Sequence, residues 1–145
     1  MNAKQLMAEV EGHCRSRGLR LTPTRRRVLE LLLAADGPVK AYDLLDQLKA
    51  ERPGAAPPTI YRALDFLLEN HFIHRLETLN AFVSCIHPEH QHQGHFLICE
   101  KCQSVTEVHD RALAQALSAV AAEHDFVATR QVLEIYGRCM ACPPN

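Results

Sequence analysis

The chain carries Cys99-Glu100-Lys101-Cys102, and the same C-x2-C spacing returns 36 residues later in Cys139-Met140-Ala141-Cys142. Each pair can turn two sulfurs toward one point, so two pairs supply the four thiolates of a closed tetrahedral zinc site. A site filled by four cysteines has no open position for water, which predicts a structural rather than a catalytic metal. The alternative is two unrelated pairs of buried or redox-active thiols, but it leaves the repeated spacing unexplained.

Length and composition limit the number of domains and the class of protein. The chain has 145 residues, 47% of them hydrophobic, which suits one ordinary domain or two small ones. No apolar run approaches the roughly 18 residues of a membrane span, and the mixed, charged N-terminus does not resemble a signal peptide. The six cysteines are therefore expected to be reduced and partly metal-bound, as in a cytoplasmic protein.

Charge is distributed unevenly along the chain. Residues 1–84 hold 12 Lys/Arg and 10 Asp/Glu, a net of +2, whereas residues 85–145 hold 4 and 7, a net of −3. Six arginines and no acid lie between Arg15 and Arg27, a pattern that can neutralise phosphates, although a solvated helix face would look the same. Seven of the nine histidines lie from His74 onward. This separation indicates a nucleic-acid half joined to a metal half.

The first half shows a helical pattern followed by a hairpin. Helices are predicted over residues 3–17, from Thr22-Pro23 to about 35, over 41–50 and over 58–69, with capping and proline signals at their starts. Two β-like runs follow at 72–77 and 81–86. This order predicts a winged helix–turn–helix domain over residues 1–84, whose last helix enters the major groove of DNA.

The second half predicts a small α/β module. Residues 85–94 are polar and irregular and are interpreted as a hinge. Strands are expected at 95–99 and 105–109, followed by a helix capped by Asp110 and by one long or two short strands over 126–136. A module of this kind, with exposed strand edges, is a natural dimerisation unit over residues 95–145. The predicted fold class is α+β, with this dimerisation domain holding the four-cysteine zinc site.

Four segments of the chain together resemble the ferric uptake regulator (Fur) family of metal-responsive bacterial repressors, and the similarity covers almost the whole length. They are Arg20-Leu21-Thr22-Pro23-Thr24-Arg25, Pro58-Thr59-Ile60-Tyr61-Arg62-Ala63-Leu64, Phe96-Leu97-Ile98-Cys99-Glu100-Lys101-Cys102 and Cys139-x2-Cys142. The resemblance implies an N-terminal winged helix and a C-terminal α/β dimerisation domain, in agreement with the residue patterns.

Within this family, the chain looks most like the zinc uptake regulator branch. That resemblance implies a second, regulatory zinc between the domains, with ligands at His74, Cys85, His92 and Glu107. A thiolate suits Zn²⁺, whereas sensors of Fe²⁺ or Mn²⁺ favour nitrogen and oxygen ligands. Iron-sensing relatives typically carry a His-His-Asp-His run before the first cysteine pair, and this chain has a different segment there, Gln91-His92-Gln93-Gly94-His95-Phe96.

Several histidines and one cysteine have no assigned partner. A third metal site would use His87, His90, His95 and His124, but solvated loop histidines explain these residues as well. Cys14 is expected to be a buried helix thiol, and His109 is unassigned.

Four residues are candidates for DNA contacts. Arg62 can bind guanine through two hydrogen bonds, and Tyr42 matches a DNA-contacting position of the zinc uptake regulators. Thr59 and Tyr61 are expected to hold phosphates or thymine methyl groups, with core packing beside Ile60 as the alternative for Tyr61. The arginines between Arg15 and Arg27 would contact phosphates, which position the protein but do not specify sequence.

These observations predict a zinc-responsive repressor that binds palindromic operators of zinc-uptake genes as a homodimer, with two zinc ions per chain and no small-molecule substrate or membrane partner. One alternative is another sensor of the family, for iron, manganese, nickel or peroxide. A zinc hydrolase would need an open metal position and a general base, as in H-E-x-x-H, and the sequence lacks that motif. The remaining alternative, a zinc-stabilised protein-interaction module, leaves the helix start at residues 58–62 unexplained.

Overall fold

The computed structural model describes residues 2–85 and 93–144. The chain divides into two compact units, Met1–Glu89 and His90–Asn145, and each is described by itself. The ranges predicted for the two domains and their hinge stay predictions. Among the described residues, no helix is both long enough and apolar enough to cross a membrane.

The first unit contains four helices and a two-stranded hairpin. They are α1 (Ala3–Arg17), α2 (Pro23–Ala34), α3 (Ala41–Glu51), α4 (Pro57–Glu69), β1 (Ile73–Leu76) and β2 (Ala81–Ser84). The helix starts follow from local chemistry. The Thr22 hydroxyl accepts a hydrogen bond from the Arg25 N–H at 3.3 Å, and the Thr59 hydroxyl accepts one from the Ala56 N–H at 3.4 Å. Prolines occupy the first turns of α2 and α4, where no N–H donor is needed.

The core of this unit is formed by one apolar face from each helix. Most apolar side chains on the inner faces of α2, α3 and α4 are buried, among them Val28, Leu44, Leu48, Ile60 and Leu67. Burying such side chains stabilises the fold by about 1.5–3 kcal/mol each. The exposed faces of α3 and α4 are thereby fixed, because a helix that buries one stripe must present the opposite one to solvent.

The hairpin is shorter than the predicted runs. β1 and β2 pair antiparallel with His74 opposite Val83, and β2 also bonds outward to Val39, whose N–H and C=O both pair with Phe82 at 2.9 and 2.8 Å. Cys85 lies one residue beyond β2 rather than on it. Its N–H still donates to the Phe72 carbonyl at 2.9 Å, so the antiparallel pairing continues to this position.

The described part of the second unit, residues 93–144, forms a three-stranded sheet with one helix. Its elements are β3 (Gln93–Cys99), β4 (Val105–Glu107), α5 (Arg111–Glu123) and β5 (Gln131–Gly137), in the strand order β4-β3-β5. β3 and β4 are antiparallel, whereas β3 and β5 are parallel and are connected through α5. Asp110 caps α5 as predicted, since its carboxylate accepts from the Leu113 N–H at 3.2 Å.

The limits predicted for three strands of this unit were wrong, including that of β4, which ends at Glu107 instead of residue 109. β3 begins at Gln93, inside the segment interpreted as a hinge. The strand predicted over 126–136 begins only at Gln131, because the preceding residues complete the end of α5. Asp125 has a left-handed φ of 56°, and the Phe126 N–H donates to the Ala121 carbonyl at 3.0 Å, a closure typical of a helix C-terminus.

Candidate metal centres and nucleic-acid interface

The two cysteine pairs converge at one end of the sheet in the second unit. β3 and β5 run parallel with Cys99 opposite Gly137, so each pair begins where its strand ends. Sulfur–sulfur distances are 3.8 Å for Cys99–Cys142, 3.8 Å for Cys102–Cys139 and 3.5 Å for Cys139–Cys142, and all four sulfurs lie within 4.8 Å of one another. Zn–S bonds of about 2.3 Å in a tetrahedron require sulfurs about 3.8 Å apart. The four residues therefore fit a structural zinc ion.

Neighbouring donors prepare some of these sulfurs for metal binding. The N–H groups of Cys102 and Cys139 lower the pKa of Cys99 to about 6, the second from 3.4 Å. The Ser104 hydroxyl, 3.2 Å from the Cys102 sulfur, lowers the pKa of that thiol. By contrast, Cys139 and Cys102 raise the pKa of Cys142 to about 12, because thiols that share a site cannot all ionise without a metal. A divalent cation would displace the remaining protons.

Two cationic side chains fasten the segment that follows the second cysteine pair. Lys101 Nζ donates to the Pro143 carbonyl at 2.7 Å, and the Arg138 guanidinium donates to the Cys142 carbonyl at 2.5 Å. Four thiolates around Zn²⁺ carry a net charge of −2, which nearby cations stabilise. Sequence reasoning did not assign these residues, and their places beside the cysteines are the signal that could have identified them.

Two of the predicted regulatory ligands meet in the first unit. His74 lies on β1 and Cys85 follows β2, two positions beyond the residue opposite His74, so both side chains share one face of the hairpin. Their ligand atoms lie within 4.8 Å of each other, and Cys85 is only 3% exposed. A half-buried imidazole beside a buried thiol at this separation offers one nitrogen and one sulfur, a donor set that suits Zn²⁺.

The other two predicted ligands belong to the second unit. Glu107 is the last residue of β4, its side chain is 4% exposed, and His109 Nε2 lies 3.3 Å from its carboxylate oxygen Oε1. Sequence reasoning left His109 without a role, although its i+2 spacing from Glu107 places both side chains on the same side of an extended segment. His92 lies outside the described residues.

His95 is held by a hydrogen-bond network of its own unit. It is 1% exposed, and its Nε2 lies 3.1 Å from the Gln131 amide oxygen. The Gln131 amide nitrogen donates to the Ala114 carbonyl at 3.0 Å and to the Ser118 hydroxyl at 2.9 Å. His95 therefore joins β3 to β5 and α5 as a buried polar residue. Nothing in the sequence around Gln131 signals this network.

The third metal site gains no support from the described residues. His95 and the exposed His124, which caps the end of α5, belong to no group of three metal ligands within residues 2–85 and 93–144. His87 and His90 lie outside the described residues. Cys14 is buried as predicted, and burial raises the pKa of its thiol.

The candidate DNA contacts lie at the exposed starts of α3 and α4. Tyr42 is 72% exposed at the second position of α3, and Tyr61 is 55% exposed on α4, which rules out core packing for that ring. Arg62 is exposed on the next position of α4. The Thr59 hydroxyl accepts from the Ala56 N–H, and its O–H and methyl group remain for a partner.

The arginines between Arg15 and Arg27 fall into two groups. The Arg25 guanidinium lies 4.0 Å from the Phe66 ring centroid and donates to the Arg20 carbonyl at 2.7 Å. Arg26 pairs with Glu11, and Arg27 pairs with Glu51 at 2.5 Å. The other three, Arg15, Arg17 and Arg20, are exposed and form no ion pair with any residue of the described part of the first unit. Three of the six side chains thus already have protein partners, and the phosphate contacts of the cluster stay a prediction.

Comparison with known proteins finds relatives that match this chain over most of its length. A model of the ferric uptake regulator family matches residues 16–136. The zinc uptake regulation protein of Escherichia coli (strain K12) is 41% identical over 140 residues, which cover 96% of this chain and 82% of that protein.

Two solved structures are similar over almost the whole chain. A zinc uptake regulator complexed with zinc and DNA is 40% identical, with a TM-score of 0.91, over 98% of this chain and 95% of its own. The holo form of XcZur is 49% identical, with a TM-score of 0.87, over 95% and 96% of the two chains.

Proposed function

The chain belongs to the ferric uptake regulator family, and we propose that it is a zinc-responsive repressor that binds palindromic operators of zinc-uptake genes as a homodimer. The observation that carries this proposal is its similarity over 98% of its length to a regulator bound to both zinc and DNA. The arrangement of the four cysteines agrees with zinc binding, and the exposed start of α4 agrees with DNA binding.

The four-cysteine site has a structural role in this proposal. Zinc there would cross-link the cysteine pair at the end of β3 to the pair after β5, and 36 residues separate the two pairs in sequence. The chain's own residues prepare the site: two backbone N–H groups and one hydroxyl stabilise thiolates, and Lys101 and Arg138 hold the closing segment. A unit with one helix and three short strands has a small core, so a metal cross-link contributes much of its stability.

A second zinc would be regulatory, with His74, Cys85, His92 and Glu107 as its ligands. The imidazole–thiol pair at the hairpin and the buried carboxylate of Glu107 supply matching donor chemistry in the two units. If the ligands come from two units, metal binding depends on the conformation of both units. If they all come from one unit, it depends on that unit alone. The thiolate favours zinc over iron or manganese, which is why a sensor of those metals or of peroxide is the weaker alternative.

Operator binding would use the exposed face of the first unit. Arg62 can read guanine through two hydrogen bonds, Tyr42 and Tyr61 offer exposed rings and hydroxyls, and Arg15, Arg17 and Arg20 can contact phosphates. A symmetric dimer would place two such faces on the two halves of a palindrome. A regulator of this kind would not be an enzyme, and it would act in the cytoplasm, where thiols stay reduced.

The decisive experiment measures operator affinity while zinc, Fe²⁺, Mn²⁺ and Ni²⁺ are titrated separately into protein that retains its four-cysteine zinc. Zinc is expected to tighten operator binding by about 5–150-fold, the usual range of a coupling between two sites, and the other ions much less. Random DNA of equal length is the control. Tightening by Fe²⁺ or Mn²⁺ alone would identify another sensor of the family.

A further inference from the structure

The end of α4 is joined rigidly to the start of the hairpin. His71 has a left-handed φ of 60°, its N–H donates to the Leu68 carbonyl at 3.0 Å, and the Phe72 N–H donates to the Leu67 carbonyl at 2.9 Å. This pair of bonds is the Schellman closure of a helix, and it restrains the backbone between α4 and Phe72. The backbone of Phe72 therefore follows the last turn of α4.

Phe72 is also bonded to the candidate metal ligand at the end of the hairpin. Its carbonyl accepts from the Cys85 N–H at 2.9 Å, so a single hydrogen bond separates Cys85 from the closure of α4. The other candidate ligand, His74, lies two residues after Phe72, on β1. A movement of the hairpin that brings His74 and Cys85 onto one metal ion would therefore also move the backbone of Phe72.

The Phe72 side chain makes a second connection to α4. Its ring centroid lies 6.4 Å from that of Phe66 at an interplanar angle of 52°, and both side chains are buried. The Arg25 guanidinium contacts the same Phe66 ring. Phe66 lies one turn after Arg62, so the ring pair fixes α4 within the helix turn that carries the candidate base contact.

We propose that Phe66 and Phe72 are positioning residues that couple zinc binding at His74 and Cys85 to the orientation of α4 and hence of Arg62. The inference rests on the proposed function. When His74 and Cys85 bind the metal, the end of the hairpin that holds them becomes ordered, which fixes the backbone and ring of Phe72. The Phe72 ring in turn fixes the Phe66 ring. Packed side chains with backbone bonds can transmit a coupling of this kind, and the coupling is reciprocal between zinc and DNA.

The test uses Phe66→Leu, which keeps an apolar side chain but removes the ring contacts to Phe72 and Arg25. Operator affinity is measured with and without regulatory zinc, and zinc affinity is measured by chelator competition without DNA. We expect zinc affinity without DNA to stay within about twofold, while the tightening of operator binding by zinc falls by fivefold or more. A purely structural role would weaken operator binding equally at every zinc concentration.

Phe82→Leu is the matched control, because Phe82 is a buried phenylalanine of the same core that pairs with Val39 and lies on β2. It should retain the full effect of zinc. Arg25→Lys keeps the charge but loses the planar stack on Phe66, so it should reduce the coupling in the same direction without altering the salt dependence of DNA binding. It also provides the test if Phe66→Leu does not fold.

Full coupling in folded Phe66→Leu or, failing that, in Arg25→Lys would overturn the inference, as would an equal loss in Phe82→Leu. If the wild-type protein itself binds operator equally with and without zinc, the proposed function fails instead. The two failures are therefore distinguishable within one set of measurements.

Discussion

The four-cysteine cluster of the second unit and the His74–Cys85 pair of the first differ in how completely their own unit builds them. Four sulfurs converge from two parallel strand ends, with N–H donors, a hydroxyl and two cations already in place. The hairpin would provide two of the four proposed regulatory ligands, and the other two would come from elsewhere in the chain. A complete site can stabilise its own unit, whereas an incomplete one binds metal only when its remaining ligands come together. This difference is what we expect between a structural zinc site and a regulatory one.

The largest expected effect is the loss of the complete site. Cys99→Ser should lose one tightly held zinc together with the fold of the second unit and the dimer, since structural zinc contributes about 10–16 kcal/mol in small metal-dependent modules at neutral pH. Metal content per chain, circular dichroism and size-exclusion chromatography measure this. Cys14→Ala, which alters a buried thiol outside the cluster, should retain the zinc.

Removing a ligand of the incomplete site should spare the fold. Cys85→Ser is expected to keep the dimer and one zinc per chain, but to weaken the response of operator binding to zinc by about tenfold or more. Operator titrations at buffered zinc concentrations measure the response. Normal operator binding at limiting zinc would show that Cys85 is not a regulatory ligand.

Substitutions of two arginines can show whether different residues of the first unit provide sequence specificity and general affinity for DNA. Arg62→Ala should cost about 1–3 kcal/mol on operator DNA and flatten the preference for operator over random DNA. Arg20→Ala should weaken binding to both DNAs alike and reduce the slope of log affinity against log salt concentration by about one. Equal losses on both DNAs in Arg62→Ala would instead assign Arg62 to a phosphate.

The smallest effect concerns an ion pair that belongs to neither metal site. The Arg27 guanidinium lowers the pKa of Glu51, so the pair contributes stability above the unfolded pKa of the carboxyl group and loses it as pH falls through the lowered one. Glu51→Gln should slightly lower the melting temperature at pH 7, because exposed pairs contribute little. The difference from wild type should vanish in acid. Unchanged zinc response in this variant provides a baseline for the others.

Local chemistry made much of the fold predictable. Thr22, Pro23 and Asp110 mark helix starts through hydrogen bonds and backbone angles that depend only on near neighbours, and the structure places those starts there. The limits of β3 and β5 were harder to predict. Both depend on where the parallel ladder between them begins, and that ladder joins residues more than 30 positions apart. Phe126 was assigned to a strand because its apolar character is compatible with either state, and closure of α5 took precedence.

By itself, the sequence determined the helices, the hairpin and the supply of four thiolates, because capping groups, apolar periodicity and C-x2-C spacing act over a few residues. Only the tertiary structure decided that the cysteine pairs meet at one sheet end, that His95 is bound to Gln131, and that Arg25 stacks on Phe66. Each of those contacts joins residues distant in the chain. Their formation depends on which elements pack together and which donors and acceptors burial then leaves within reach.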